Sequence, residues 1–86
     1  MFAIIRRVID QEARLAVPAA DLTPGADLYK LGLTPYSAVR ILLALEREFE
    51  VELPRGLLKR ETMQSIDAVA RALHIAMSAN GARSAA

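Results

Sequence analysis

The 86-residue chain contains no cysteine. That excludes a disulfide framework, thiolate zinc sites and thiol catalysis together, and leaves the core to hydrophobic packing alone. Tryptophan is also absent, and aromatic residues are only 5% of the chain, so aliphatic side chains have to fill that core efficiently. Long apolar runs are missing too. The longest uninterrupted aliphatic stretch is Ile41 to Leu45, far below the roughly 20 residues of a membrane span. Charge of one sign is scarce as well: a net +1 is too little for a nucleic-acid binder, which needs a basic face, and the adjacent Arg6 and Arg7 do not make a stripe. The first ten residues embed those arginines in an apolar pattern and run into acidic residues, unlike a signal peptide. The expectation is a soluble, cytoplasmic, single domain with no nucleic-acid partner and no membrane span.

What is present is helical periodicity. Phe2, Ile5, Val8, Ile9, Ala13 and Leu15 are spaced as one face of a first helix over residues 2–16. Pro18 bars its continuation, and residues 18–34, with two prolines and two glycines, read as a long loop. A loop of that length is usually functional or pinned by apolar anchors, here Leu22, Leu28, Leu31 and Leu33. Thr34 is a good N-cap and Pro35 a good first residue for a second helix over Pro35 to Phe49. At about 100° per residue, Ala38, Ile41, Leu42, Leu45 and Phe49 share a core face, and Tyr36, Arg40, Leu43 and Arg47 share the opposite, exposed one. Beyond Pro54, residues 56–60 supply at most a short helical turn. Thr62 reads as the N-cap of a last helix, with Met63, Ile66, Val69, Ala70, Leu73 and Met77 as its apolar stripe and Asn80-Gly81 as its stop. The fold class is all-α: three main helices, one short helix and a long first connection, with residues 1–78 as the domain and 79–86 as a flexible tail.

Catalytic chemistry is not visible in this pattern. His74 is the only histidine and has no acidic partner at metal-ligand spacing. Glu46, Glu48, Glu50 and Glu52 alternate rather than sharing a face, which suits solvated charges. There is no phosphate-cradling glycine loop and no serine, histidine and acid set, so neither an enzyme nor a metal site is expected. A tyrosine and a leucine on the outward side of a helix are different, because such side chains usually await a partner. Tyr36, Arg40, Leu43 and Arg47, with Arg55 nearby, are the candidate partner-binding residues.

The segment Leu28-Tyr29-Lys30-Leu31-Gly32-Leu33, followed by Thr34-Pro35-Tyr36-Ser37-Ala38-Val39 and the helix ending in Glu46-Arg47-Glu48-Phe49, resembles the acyl carrier protein pattern. The likeness continues through Val51-Glu52-Leu53-Pro54 and the last helix, covers nearly the whole chain, and is greatest to the stand-alone aminoacyl carrier proteins of alpha-proteobacteria. The resemblance implies a carrier-protein-like helical bundle that holds an acyl or aminoacyl group as a thioester on 4′-phosphopantetheine. It also implies a loading ligase or acyltransferase as partner, and a monomer. In that family a serine three residues after the glycine carries the arm, and counting from Gly32 that position is Pro35.

Proline has no hydroxyl, so the arm is expected to be absent from this chain. Either a natural carrier-like domain has lost its attachment point, or a serine has been substituted and a phosphopantetheinyl transferase modifies the parent. Ser37, a weak substitute, lies about 200° further around the helix, and the hydroxyl of Thr34 is wanted by the N-cap. The family generally shows an acidic second helix to basic enzymes, whereas here Arg40 and Arg47 are followed by Arg55, Lys59 and Arg60. Like charges across an interface oppose binding, so the expected partner surface is acidic or mixed. The alternative function is an interaction domain that keeps the carrier fold and docks on a carrier-handling enzyme.

Overall fold

The computed structural model describes the backbone of residues 1–85 and the side chains of residues 1–78. Three α-helices form the bundle: α1 (Phe2–Glu12), α2 (Pro35–Phe49) and α3 (Ile66–Ala85). The connections carry short 3-10 turns at Ala19–Asp21, Tyr29–Leu31, Arg55–Leu57 and Arg60–Met63. The all-α architecture holds, and the extra short helix of the sequence reading is a 3-10 turn.

Helix α1 is shorter than its apolar spacing implies. Ala13 is already extended, and the N–H of Ala16 donates to the carbonyl of Leu31 at 2.8 Å, so the chain leaves the helix to pair with the loop ahead of Pro18. Ile5, Val8 and Ile9 are buried from α1, and Ala38, Ile41, Leu42, Ala44 and Leu45 from α2. Ion pairs Arg7–Glu48 and Arg40–Glu12 bridge the rims of these two helices. On α3, Ile66, Val69, Ala70 and Leu73 complete the core, while Met77 at the end of the expected stripe is exposed.

The long loop is held at both ends. Arg6 donates to the carbonyls of Ala19 and Leu22 at 3.2 and 3.0 Å, and Asp10 accepts the N–H of Ala19 at 3.0 Å. Further on, the N–H of Leu28 donates to the carbonyl of Gln64 at 2.8 Å, and the N–H of Asp67 to that of Pro24 at 3.0 Å. Leu22, Leu28 and Leu33 are buried as anchors, and Leu31 is only partly so.

Two expectations for the last helix fail. Thr62 is not its N-cap: the Thr62 hydroxyl is buried and donates to the carbonyl of Leu57 at 2.6 Å, inside the connection. Ser65 takes that role, accepting the N–H of Ala68 at 3.1 Å, and α3 starts at Ile66. Nor does Asn80-Gly81 stop α3, which runs to Ala85. One glycine costs a helix only about 1 kcal/mol relative to alanine, and alanines are dense on both sides. The tail expected over 79–86 lies outside the described side chains.

Leu28 is fully buried, and its backbone joins the loop to the start of α3. Leu28→Ala should therefore lower unfolding free energy by about 2–5 kcal/mol in urea denaturation, the range for a buried leucine whose site cannot collapse. A loss under about 1 kcal/mol would show that the loop is not anchored there.

Candidate functional site

The site is built at the N-terminal end of α2. Gly32 ends the Tyr29–Leu31 turn in the left-handed region, at φ 112°, where a side chain would be strained. The N–H groups of Gly32 and Leu33 donate back to the carbonyls of Tyr29 and Leu28 at 3.2 and 3.0 Å, so the reversal is tight. Thr34 is extended, as the residue before a proline tends to be, and its Oγ1 accepts the N–H of Ser37 at 3.1 Å. Pro35 then begins α2 where its missing N–H leaves no bond unmade.

Position 35 is exposed and has neither N–H nor hydroxyl. The flanking hydroxyls of Thr34 and Ser37 are bonded to each other: Thr34 Oγ1 donates to Ser37 Oγ at 3.1 Å while it caps the helix. Ser37 is half-buried on the flank of α2.

Pro35 stands at the mouth of an open groove of about 420 Å³ between α2 and the segment 58–63. Val39, Leu42 and Leu43 form one wall, and Leu58 and Met63 face them. Val39, Leu43 and Leu58 are each more than half exposed. Tyr29 and Arg60 hold the groove together: the Arg60 guanidinium lies 3.9 Å from the Tyr29 ring centroid, and the Tyr29 hydroxyl donates to the Arg60 carbonyl at 3.0 Å. Burial pushes the Tyr29 phenol up, against the opposing pull of the Arg60 charge, with Glu61 and Asp27 adding to the rise. Glu46 reaches the groove too, but one of its oxygens accepts the N–H of Leu53 at 2.7 Å. A shallower hollow beside it, at the C-terminal end of α2, is lined by Arg47, Glu50 and Glu52.

Tyr36, Arg40, Leu43 and Arg47 all lie on the exposed side of α2, as the spacing predicts. Arg40 is not free, however. Its Nε donates to Glu12 at 2.9 Å, and its guanidinium stands 5.7 Å from the Tyr36 ring centroid. Hydrogen bonds to Tyr36 and then Glu12 raise its pKa above the ordinary arginine value. Arg55 sits on the turn after Pro54 and lines neither hollow. Sequence reasoning missed Val39, Leu58 and the Tyr29–Arg60 wall. Val39 was visible as the i+4 neighbour of Leu43; the far wall comes from distant sequence and had no local signal. His74 is exposed, and among the described residues no three His, Asp or Glu are grouped to hold a metal. No helix among them is long and apolar enough to cross a membrane.

A three-helix bundle whose long pinned loop presents the start of its second helix beside an apolar groove is the scaffold of a carrier domain. Residues 4–73 match the family described as phosphopantetheine attachment site. The chain is 35% identical over 69 residues to an aminoacyl carrier protein of Agrobacterium fabrum, covering 80% of this chain and 83% of that one. It is 32% identical over 68 residues to aminoacyl carrier protein 1 of Bradyrhizobium diazoefficiens, with 79% and 71% covered. Its fold superposes with a TM-score of 0.82, at 32% identity, on a chain from the crystal structure of an engineered Bradyrhizobium japonicum glycine:[carrier protein] ligase complexed with carrier protein from Agrobacterium tumefaciens and AMP. That match covers 86% of this chain and 99% of the other. The chain belongs to the phosphopantetheine attachment site family and, within it, groups with the aminoacyl carrier proteins.

The Tyr29 environment gives a pH prediction. A phenol whose folded pKa is raised contributes stability that is present below its unfolded pKa of about 10 and is lost as pH rises through the folded value. In the Tyr36→Phe chain, absorbance at 295 nm should titrate with a midpoint above about 10, and stability should fall across that interval. A midpoint at or below the free-phenol value would contradict burial as the dominant influence on the Tyr29 phenol.

Proposed function

We propose that this protein is an aminoacyl carrier scaffold that docks on a carrier-handling enzyme, a loading ligase or acyltransferase, without itself receiving the 4′-phosphopantetheine arm. The observation that carries this is Pro35 at the first position of α2, where the family has its serine. The arm is joined through a phosphodiester to a side-chain oxygen, and proline offers none. Ser37 does not replace it, since its hydroxyl is bonded to the capping Thr34 and stands two residues along the helix. The residues present therefore do not fit the cofactor, although the rest of the scaffold is kept.

Docking would use the exposed side of α2 around Tyr36, Leu43 and Arg47, with Arg55 at its margin, while Arg40 is held by Glu12 on the α1–α2 rim. The domain of residues 1–78 acts as a monomer in the cytoplasm. Relatives in solved structures support a ligase as the partner class: one crystal structure is of a Bradyrhizobium japonicum glycine:[carrier protein] ligase complexed with glycylated carrier protein, at 31% identity and a TM-score of 0.62.

Intact-mass measurement after incubation with coenzyme A and a broad phosphopantetheinyl transferase tests the missing attachment. No addition is expected on the chain as it stands, and one phosphopantetheine on Pro35→Ser. Addition to the unaltered chain would overturn the proposal. No addition to either would mean that the scaffold is no longer read as a carrier by the transferase, leaving the pure interaction domain.

A further inference from the structure

The groove beside Pro35 has an apolar floor, two cations on the wall facing α2 and one carboxylate, Glu46, on α2 itself. Val39, Leu43 and Leu58 are exposed around it at 55%, 54% and 52%. Lys59 and Arg60 stand on the wall facing α2, and neither makes an ion pair among the described residues; the Arg60 guanidinium rests on the Tyr29 ring. Arg47, next to Leu43 on the outward ridge, also makes none. The one carboxylate in the groove, Glu46, is engaged with the Leu53 N–H. Glu61 is exposed on the same turn as Arg60 but does not line the groove. Further carboxylates, Glu50 and Glu52, line the hollow at the C-terminal end of α2 beside Arg47.

From this we infer that the groove is a docking surface for a partner protein segment that inserts a bulky apolar side chain between Val39, Leu43 and Leu58 and sets carboxylates opposite Lys59, Arg60 and Arg47. This inference rests on the docking function proposed above and names the chemistry of the partner. A solvated apolar patch ringed by polar groups marks a protein contact surface. Three cations with no ion pair among the described residues repel a basic segment and favour an acidic one, in affinity and in encounter rate. The volume alone would admit a small amphiphile. The apolar surface extends beyond the hollow to Tyr36, which such a ligand would leave uncovered, whereas an amphipathic helix laid in the groove covers both. Arg40 is excluded from the contact, because its guanidinium is spent on Glu12 and Tyr36.

The test uses the whole chain and two synthetic amphipathic helices with the same leucines, one carrying glutamates and the other lysines. Methyl and amide NMR shifts are followed on titration to millimolar peptide. The acidic helix should shift Val39, Leu43, Leu58 and Lys59, and bind at least tenfold more tightly than the basic one, with affinity falling as salt rises. Leu43→Ser should abolish binding. Arg47→Glu with Lys59→Glu, which leaves the Tyr29–Arg60 stack in place, should reverse the charge preference. Equal affinity for both helices, shifts confined to another surface, or no binding of either would overturn the inference. So would concentration-dependent shifts of the chain alone, which mean a second copy in the groove, or saturation of the same methyls by decanoate with loss of peptide binding, which means a small-ligand site. Failure to bind a carrier-loading ligase in a separate titration would instead remove the docking function and leave the groove's chemistry standing.

Discussion

The end of the molecule that matters depends on how Leu28 is held. Its side chain is fully buried, its N–H is fixed to the carbonyl of Gln64, and its carbonyl accepts the N–H groups of both Leu31 and Leu33. One residue thus ties the long loop to the lead-in of α3 and closes the turn that delivers Gly32, Leu33 and Thr34 to the start of α2. The Pro24 carbonyl, bonded to the Asp67 N–H, and the Leu31 carbonyl, bonded to the Ala16 N–H, hold the loop on either side of that anchor, and Arg6 holds its far end at Ala19 and Leu22. The same anchor places Tyr29 beside Arg60, and so builds the wall that makes the groove.

At the start of α2, helix chemistry and carrier chemistry compete for the same two positions. Thr34 caps the helix with its hydroxyl, and Pro35 suits the first turn because it has no N–H to leave unpaired. Both choices favour a firm helix start. Neither leaves a free hydroxyl where a prosthetic arm would be attached. The scaffold keeps position 35 exposed at the start of α2 without a side-chain oxygen there, and on the proposed reading what serves it is surface: an exposed apolar ridge, a groove, and cations on the groove's far side.

Much of this was legible in sequence wherever the signal is local. The bounds of α2 and its cap follow from the Thr34-Pro35 pair, and the structure agrees with them residue for residue, while the 3.6-residue period finds the exposed Tyr36, Arg40, Leu43 and Arg47 but not Val39. Leu22, Leu28 and Leu33 were readable as anchors because a structureless loop needs some. Distant partners were not readable. Thr62 and Ser65 are both cap-type residues; only the fold shows that the Leu57 carbonyl claims Thr62 and leaves Ser65 to start α3. Ala13 and Leu15 keep helical spacing although the chain has already left α1 to bond with Leu31. Arg40 reads as an exposed docking cation, but its carboxylate partner, Glu12, lies on another helix. The groove was hidden for the same reason, since its second wall comes from residues 58–63.

The surface left by these pairings differs from the one the helix pattern suggested. Arg40 belongs to the α1–α2 rim, and the cations available to a partner are Arg47, Lys59 and Arg60, around apolar side chains that need cover. If docking is what this protein retains, the arm should not be required for it. The direct measurement is calorimetric titration of the unaltered chain into a glycine:[carrier protein] ligase such as the Bradyrhizobium japonicum enzyme, beside Pro35→Ser carrying its prosthetic group. The account predicts saturable binding by the unaltered chain, within about tenfold of the loaded variant, a difference of about 1.4 kcal/mol. Binding seen only with the loaded variant would contradict it.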